Sequence, residues 1–191
     1  TLVSVHQNGT ISKWDFRLGR DGYQEVGRIH LSTPTYPVVW SYDANIIATA
    51  SQWRGVSVWS LATGQELASF GTNYASPAFS PDRQHIALIN MNTETLEIAD
   101  LDTGESVLLP DATGIRNPSY TQASEADWGG TAYSPAGRWL AYRSYNRAIL
   151  VETDSGERAA VLEGHGADHD IRQILGSPDS ESLLTVAGPN D

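Results

Sequence analysis

Ser80-Pro81-Asp82-Arg83-Gln84-His85-Ile86-Ala87-Leu88-Ile89 is the stretch that decides the fold. Pro81 pre-sets φ for the second position of a tight turn, and Asp82 tolerates the position after it. The run from His85 to Ile89 is too short for a helix and reads as a strand packed on both faces. The same phrase recurs as Ser41-Tyr42-Asp43-Ala44, Ser134-Pro135-Ala136-Gly137 and Ser177-Pro178-Asp179-Ser180. An apolar run follows each: Asn45 to Ala50, Trp139 to Tyr142 and Leu183 to Val186.

Working outward, a second strand pattern comes next in each unit: Gly55 to Trp59, Thr95 to Ala99 and Ala148 to Glu152. Turns then recur at Ala62-Thr63-Gly64, Asp102-Thr103-Gly104 and Asp154-Ser155-Gly156, where glycine supplies a positive φ. Outer strands follow, such as Gln65 to Phe70 and Arg158 to Leu162. Nothing between these turns is long enough for a helix, and no segment keeps a period of 3.6 residues. The chain therefore reads as all-β. Two of the three intervals between the Ser-led turns lie near 40–45 residues, a period of repeat architectures. The interval from Ser80 to Ser134 is longer and holds an insertion, 111–129, rich in Pro, Gly, Ser and Thr.

These residues resemble the WD-repeat family. Thr10-Ile11-Ser12-Lys13-Trp14-Asp15 is similar to its third strand, Gly164-His165 to its Gly-His signature, and Trp59-Ser60, Ala99-Asp100 and Glu152-Thr153 to weakened Trp-Asp pairs. Propellers that carry Ser-Pro-Asp-Gly turns are similar at this level. The resemblance implies a β-propeller of four-stranded antiparallel blades, with about four blade equivalents in this chain. The expected layout is a partial blade at 1–31, blades at 32–71, 72–110 and 130–164, and a partial blade at 165–191. The ring would be completed by further sequence or another chain. The resemblance also implies a structural hydrogen-bond network, to which His165, Thr185 and Asp191 correspond. Trp14, Trp40, Trp59 and Trp139 fall in strand patterns and are expected in the core.

Composition narrows the function. A hydrophobic share of 40% and a charged share of 18% suit a globular chain rather than a disordered one. The net charge of −11 argues against direct nucleic-acid binding, which needs cations to neutralise phosphates. With no cysteine, disulfides and thiolate metal sites are excluded. No apolar run approaches the roughly 20 residues of a membrane helix, so no membrane association is expected. Thr1-Leu2-Val3-Ser4-Val5-His6 lacks the features of a signal peptide, and the expected compartment is the cytoplasm.

Catalytic motifs are missing. There is no Gly-x-Ser-x-Gly, no phosphate-binding glycine loop and no His-Glu-x-x-His. His165, Asp168, His169 and Asp170 combine imidazole with carboxylate and could hold a divalent metal. The competing reading gives His165 to the structural network and the others to a polar loop, and no cofactor or metal is expected. Asn8-Gly9-Thr10 fits a glycosylation sequon but reads more simply as a hairpin turn.

Binding surfaces are the better expectation. In the resembled family, partners dock on loops joining second to third strands and on links between blades. Here the first kind carries Trp53, Arg54, Tyr145 and Arg147; the second carries Tyr74 and the insertion with Arg116 and Trp128. Trp, Tyr and Arg dominate binding hot spots because they join large apolar area to directed hydrogen bonds. Packing of Trp53 and Tyr145 between blades is the equal alternative. The expected function is a non-catalytic protein-binding scaffold or sensor module, part of a larger propeller protein. The alternative is an accessory propeller of a peptidase- or kinase-type enzyme whose catalytic domain lies elsewhere.

Overall fold

The computed structural model describes residues 2–6, 8–16, 22–31, 38–51, 54–113 and 130–189. Every regular element among them is a β-strand. The first sheet holds β1 (Leu2–Val5), β2 (Thr10–Asp15) and β3 (Gln24–His30). The second holds β4 (Val38–Trp40), β5 (Ile46–Ser51), β6 (Gly55–Ser60) and β7 (Glu66–Phe70). In the third are β8 (Tyr74–Phe79), β9 (His85–Asn90), β10 (Thr95–Asp100) and β11 (Ser106–Thr113). The fourth comprises β12 (Thr131–Tyr133), β13 (Trp139–Ser144), β14 (Arg147–Glu152) and β15 (Arg158–Leu162). Finally, β16 (His169–Gly176) pairs with β17 (Leu183–Pro189) in the fifth. All pairings are antiparallel and join neighbours in sequence, so each sheet is a meander of the kind that forms a propeller blade. Strand β11 runs to Thr113, past Asp111 where the insertion was expected to begin.

Four apolar layers lie between successive sheets. Ile11, Ile29 and Leu31 of the first pack on Ile47 and Leu61. Ala48, Ala50, Val56 and Val58 of the second meet Phe79, Ile86, Leu88 and Ala99 of the third. From the third, Ala87, Ile89, Leu96 and Leu109 then meet Tyr133, Leu140, Tyr142, Ile149 and Val151. Ala141 and Ala148 pack on Ile171 and Ile174. Strand β9 shows the logic. Ile86 and Leu88 point to one neighbouring sheet, Ala87 and Ile89 to the other, and all four are fully buried. A strand covered on both faces must be apolar at every position, which is why the run after each Ser-led turn does not alternate. Burying such an Ile or Leu contributes about 1.5–3 kcal/mol. Among the described residues no ladder and no core layer joins the first sheet to the fifth, and the arc stays open.

Trp40 corrects the sequence reading: it is 53% exposed. Trp14 and Trp139 are half-buried, and Trp59, also half-buried, packs against the layer between the first and second sheets. Trp40 pairs across the sheet with Ile47, which packs against the first sheet. Cross-strand partners share a face. Among the described residues the first sheet has no strand inside β1, so nothing there covers an indole on β4. No helix among the described residues is long and apolar enough to cross a membrane.

Candidate functional site

Because neighbouring strands run in opposite directions, each sheet reverses at two ends. At one end lie the hairpins from second to third strands and the links between sheets; at the other lie the Ser-led and Gly-containing turns.

At the hairpin end, Tyr145 occupies the two-residue reversal between β13 and β14 at φ 57° and is 43% exposed. Its carbonyl accepts a hydrogen bond from the amide of Ile171 in the fifth sheet at 2.9 Å. Asn146 Nδ2 donates to the carbonyl of His165 at 3.3 Å. The hairpin is thereby fastened to the next blade while the phenol faces solvent. Arg147 is exposed, with Nε 3.1 Å from Glu163 Oε1. Arg54 is exposed, and its amide is held by Ser51 Oγ at 3.0 Å. Tyr74 is turned inward instead: half-buried, it meets Phe70 edge-on at 6.2 Å and donates to Glu97 Oε2 at 2.8 Å. Burial, then the Glu97 carboxylate, raises its pKa. Trp53, Arg116, Trp128 and Asp191 lie outside the described residues.

One hydroxyl position recurs within the sheets. Trp59 Nε1 donates to Thr49 Oγ1 at 3.1 Å, and Trp14 Nε1 to Ser4 Oγ at 2.8 Å. In the registers β1–β2 and β5–β6 these residues are equivalent. The same position is Thr185 in β17, whose Oγ1 lies 2.8 Å from His165 Nε2. In the third and fourth sheets the pair is replaced by Leu88 with Ala99 and by Tyr142 with Val151, all buried. Among the described residues no group of three or more His, Asp or Glu side chains is placed to hold a metal ion, so the stretch from His165 to Asp170 does not gather into one.

The turn end carries clefts between successive sheets. In three of the four Ser-led turns the aspartate caps the turn. Asp43 Oδ1 accepts from Ser41 Oγ at 2.7 Å and from the Asn45 amide at 3.0 Å. Asp82 accepts from Ser80 Oγ and from the Gln84 amide at 3.0 Å; Asp179 accepts from Ser177 Oγ at 2.5 Å and the Glu181 amide at 3.0 Å. Burial opposes the charge of Asp82, but these donors, helped by His85, bring its pKa below the ordinary carboxylate value. Between the third and fourth sheets lies a cavity of about 640 Å³. Asp82, His85 and Ile98 wall one side; Tyr133, Arg138, Thr153 and Asp154 wall the other. Tyr133 is 5% exposed, and its hydroxyl and that of Thr153 are buried with no hydrogen-bond partner among the described residues. Burial, reinforced by the Asp82 charge, pushes the Tyr133 phenol far up, so it stays neutral.

Sequence reasoning missed this cavity, because no motif marks two turns that meet only in space. It also missed Arg143, 2% exposed, whose guanidinium donates to the Ile171 carbonyl at 2.9 Å. A signal existed: a charged residue closing the apolar run Trp139 to Tyr142, since arginine is seldom buried unless paired. The sequence matches no protein-family model. Nor does any curated protein match it.

Proposed function

We propose that this chain is a non-catalytic protein-binding scaffold of the WD-repeat-like kind, working in the cytoplasm on protein partners. The observation that carries the reading is the β13–β14 hairpin. Tyr145 is solvent-facing while its backbone is fastened to the next sheet through Ile171. An exposed aromatic on a pre-ordered backbone loses little freedom on binding, which is the property of a hot-spot residue. Arg147 and Arg54 add guanidinium groups on hairpins at the same end of the sheets. The negative net charge favours partners with basic surfaces.

The test is a comparison of two baits, the wild-type chain and the Tyr145→Ala, Arg147→Ala double variant, with partners captured from the native source. Both positions are exposed, so the thermal midpoint should move little. A protein retained by the wild type and lost by the variant is the expected result. Identical recovery by both baits overturns the assignment of this end as the docking face.

A further inference from the structure

We propose that the cavity between the third and fourth sheets receives an arginine side chain from a protein partner. That cavity lies at the turn end of the sheets, away from the Tyr145 hairpin. The fourth residue of each Ser-led turn has a positive φ: 52° at Ala44, 66° at Arg83, 77° at Gly137 and 64° at Ser180. At the last three, the side chain or the place a Cβ would take faces the turn of the preceding sheet. Arg83 reaches the carboxylate of Asp43, and Ser180 Oγ accepts from the amide of Ala136 at 2.9 Å. At Gly137 a Cβ would also face the preceding turn, 3.6 Å from Pro81 Cδ, but glycine supplies no side chain. Asp82, the counterpart of Asp43, therefore receives no guanidinium from the next sheet.

The cavity opens at that place, and its chemistry suits the missing group. Asp82 and Asp154 supply carboxylate acceptors. Tyr133 and Thr153 stand in its wall; their hydroxyls have no hydrogen-bond partner among the described residues and, being closed to solvent in this structure, accept one from a ligand only as the wall yields. Ile98 offers an apolar wall for the methylene stem. Arg138, in the cavity wall, is already engaged: its guanidinium is 3.2 Å from Glu152 and lies 4.6 Å over the ring of Trp139, while His85 Nδ1 lies 3.6 Å from Asp82. A planar group with five N–H donors satisfies more of these acceptors at once than an ammonium.

The probe is N-acetyl-arginine amide, titrated into the full chain with NMR detection of the Gly137, Thr153 and Asp154 amides. N-acetyl-citrulline amide, which keeps the shape and loses the charge, and N-acetyl-lysine amide are the controls. Saturable shifts with the arginine probe alone are expected. Asp82→Asn should weaken binding by about tenfold or more, the effect of losing a charge-assisted contact. Gly137→Arg should abolish it by pairing with Asp82 in cis, as Arg83 pairs with Asp43 one junction earlier. No shift, an equal shift with citrulline or lysine, or undiminished binding in Asp82→Asn overturns the proposal.

Discussion

Arg83 reaches back from the β8–β9 turn to the carboxylate of Asp43 in the β4–β5 turn, forming an ion pair that clasps the second and third sheets. Burial opposes the Asp43 charge, yet the Ser41 hydroxyl, the Asn45 amide and Arg83 outweigh it and bring the pKa to about 2, from an ordinary 3.8. A depressed folded pKa stabilises the fold at pH values above the unfolded pKa, and that contribution fades as pH falls from 3.8 towards about 2. The pair is partly exposed, so its worth is on the order of 1 kcal/mol once solvent screening is allowed for. Urea unfolding of the wild type and of Asp43→Asn should differ by about that much at pH 6 and converge near pH 2. A gap that persists at low pH would show that the carboxylate charge is not the cause.

The Trp59–Thr49 bond is testable by a double-mutant cycle. Trp59→Phe removes the indole donor and Thr49→Val the acceptor. Their coupling should be about 0.5–1.5 kcal/mol, the net worth of one such bond. Trp59→Ala should cost about 3 kcal/mol, the low end for a large aromatic, because the ring is only half-buried. Zero coupling would mean that the indole N–H is equally well satisfied by water.

Much of this architecture was legible in local chemistry. Pro81 and Asp82 announce a turn, and the five residues from His85 announce a strand covered twice; β9 covers His85–Asn90. What stayed hidden depends on which sheet lies beside which. Trp40 has the residue type of a core position, but it is exposed because, among the described residues, no strand of the first sheet lies inside β1 to cover it. Tyr74 reads as a binding aromatic until Glu97, on another strand, is seen to hold its hydroxyl. That Gly137 stands where an earlier turn has Arg83 can be read from the aligned turns, but that this position faces the aspartate of the preceding sheet cannot, because the two turns meet only in space.

Gly55 opens β6 at φ 72°, and a Cβ there would sit 2.0 Å from the carbonyl oxygen of Gly71. The nearest atoms are all backbone of Phe70 and Gly71, so no flexible side chain is there to yield. Gly55→Ala should therefore cost at least about 2–3 kcal/mol, combining left-handed strain with displacement of the Gly71 backbone. Chemical denaturation measures it directly. A loss below about 1 kcal/mol would mean that the chain entering β8 moves aside freely.

Tyr133 sets stability against binding. Its hydroxyl is buried and has no partner among the described residues, none of which offers a hydrogen bond to offset the desolvation cost of that group. Tyr133→Phe keeps the ring against Leu140 and Ile89 while removing the orphaned atom. The variant should be as stable as the wild type or more stable, by up to about 1–2 kcal/mol, in a urea titration. The same variant should bind the arginine probe more weakly, since a ligand donor loses its acceptor. A side chain whose trimming helps the fold and harms recognition is kept for recognition. If Tyr133→Phe instead destabilises the chain, the hydroxyl contributes to the folded state itself, and its place in the cavity wall is structural.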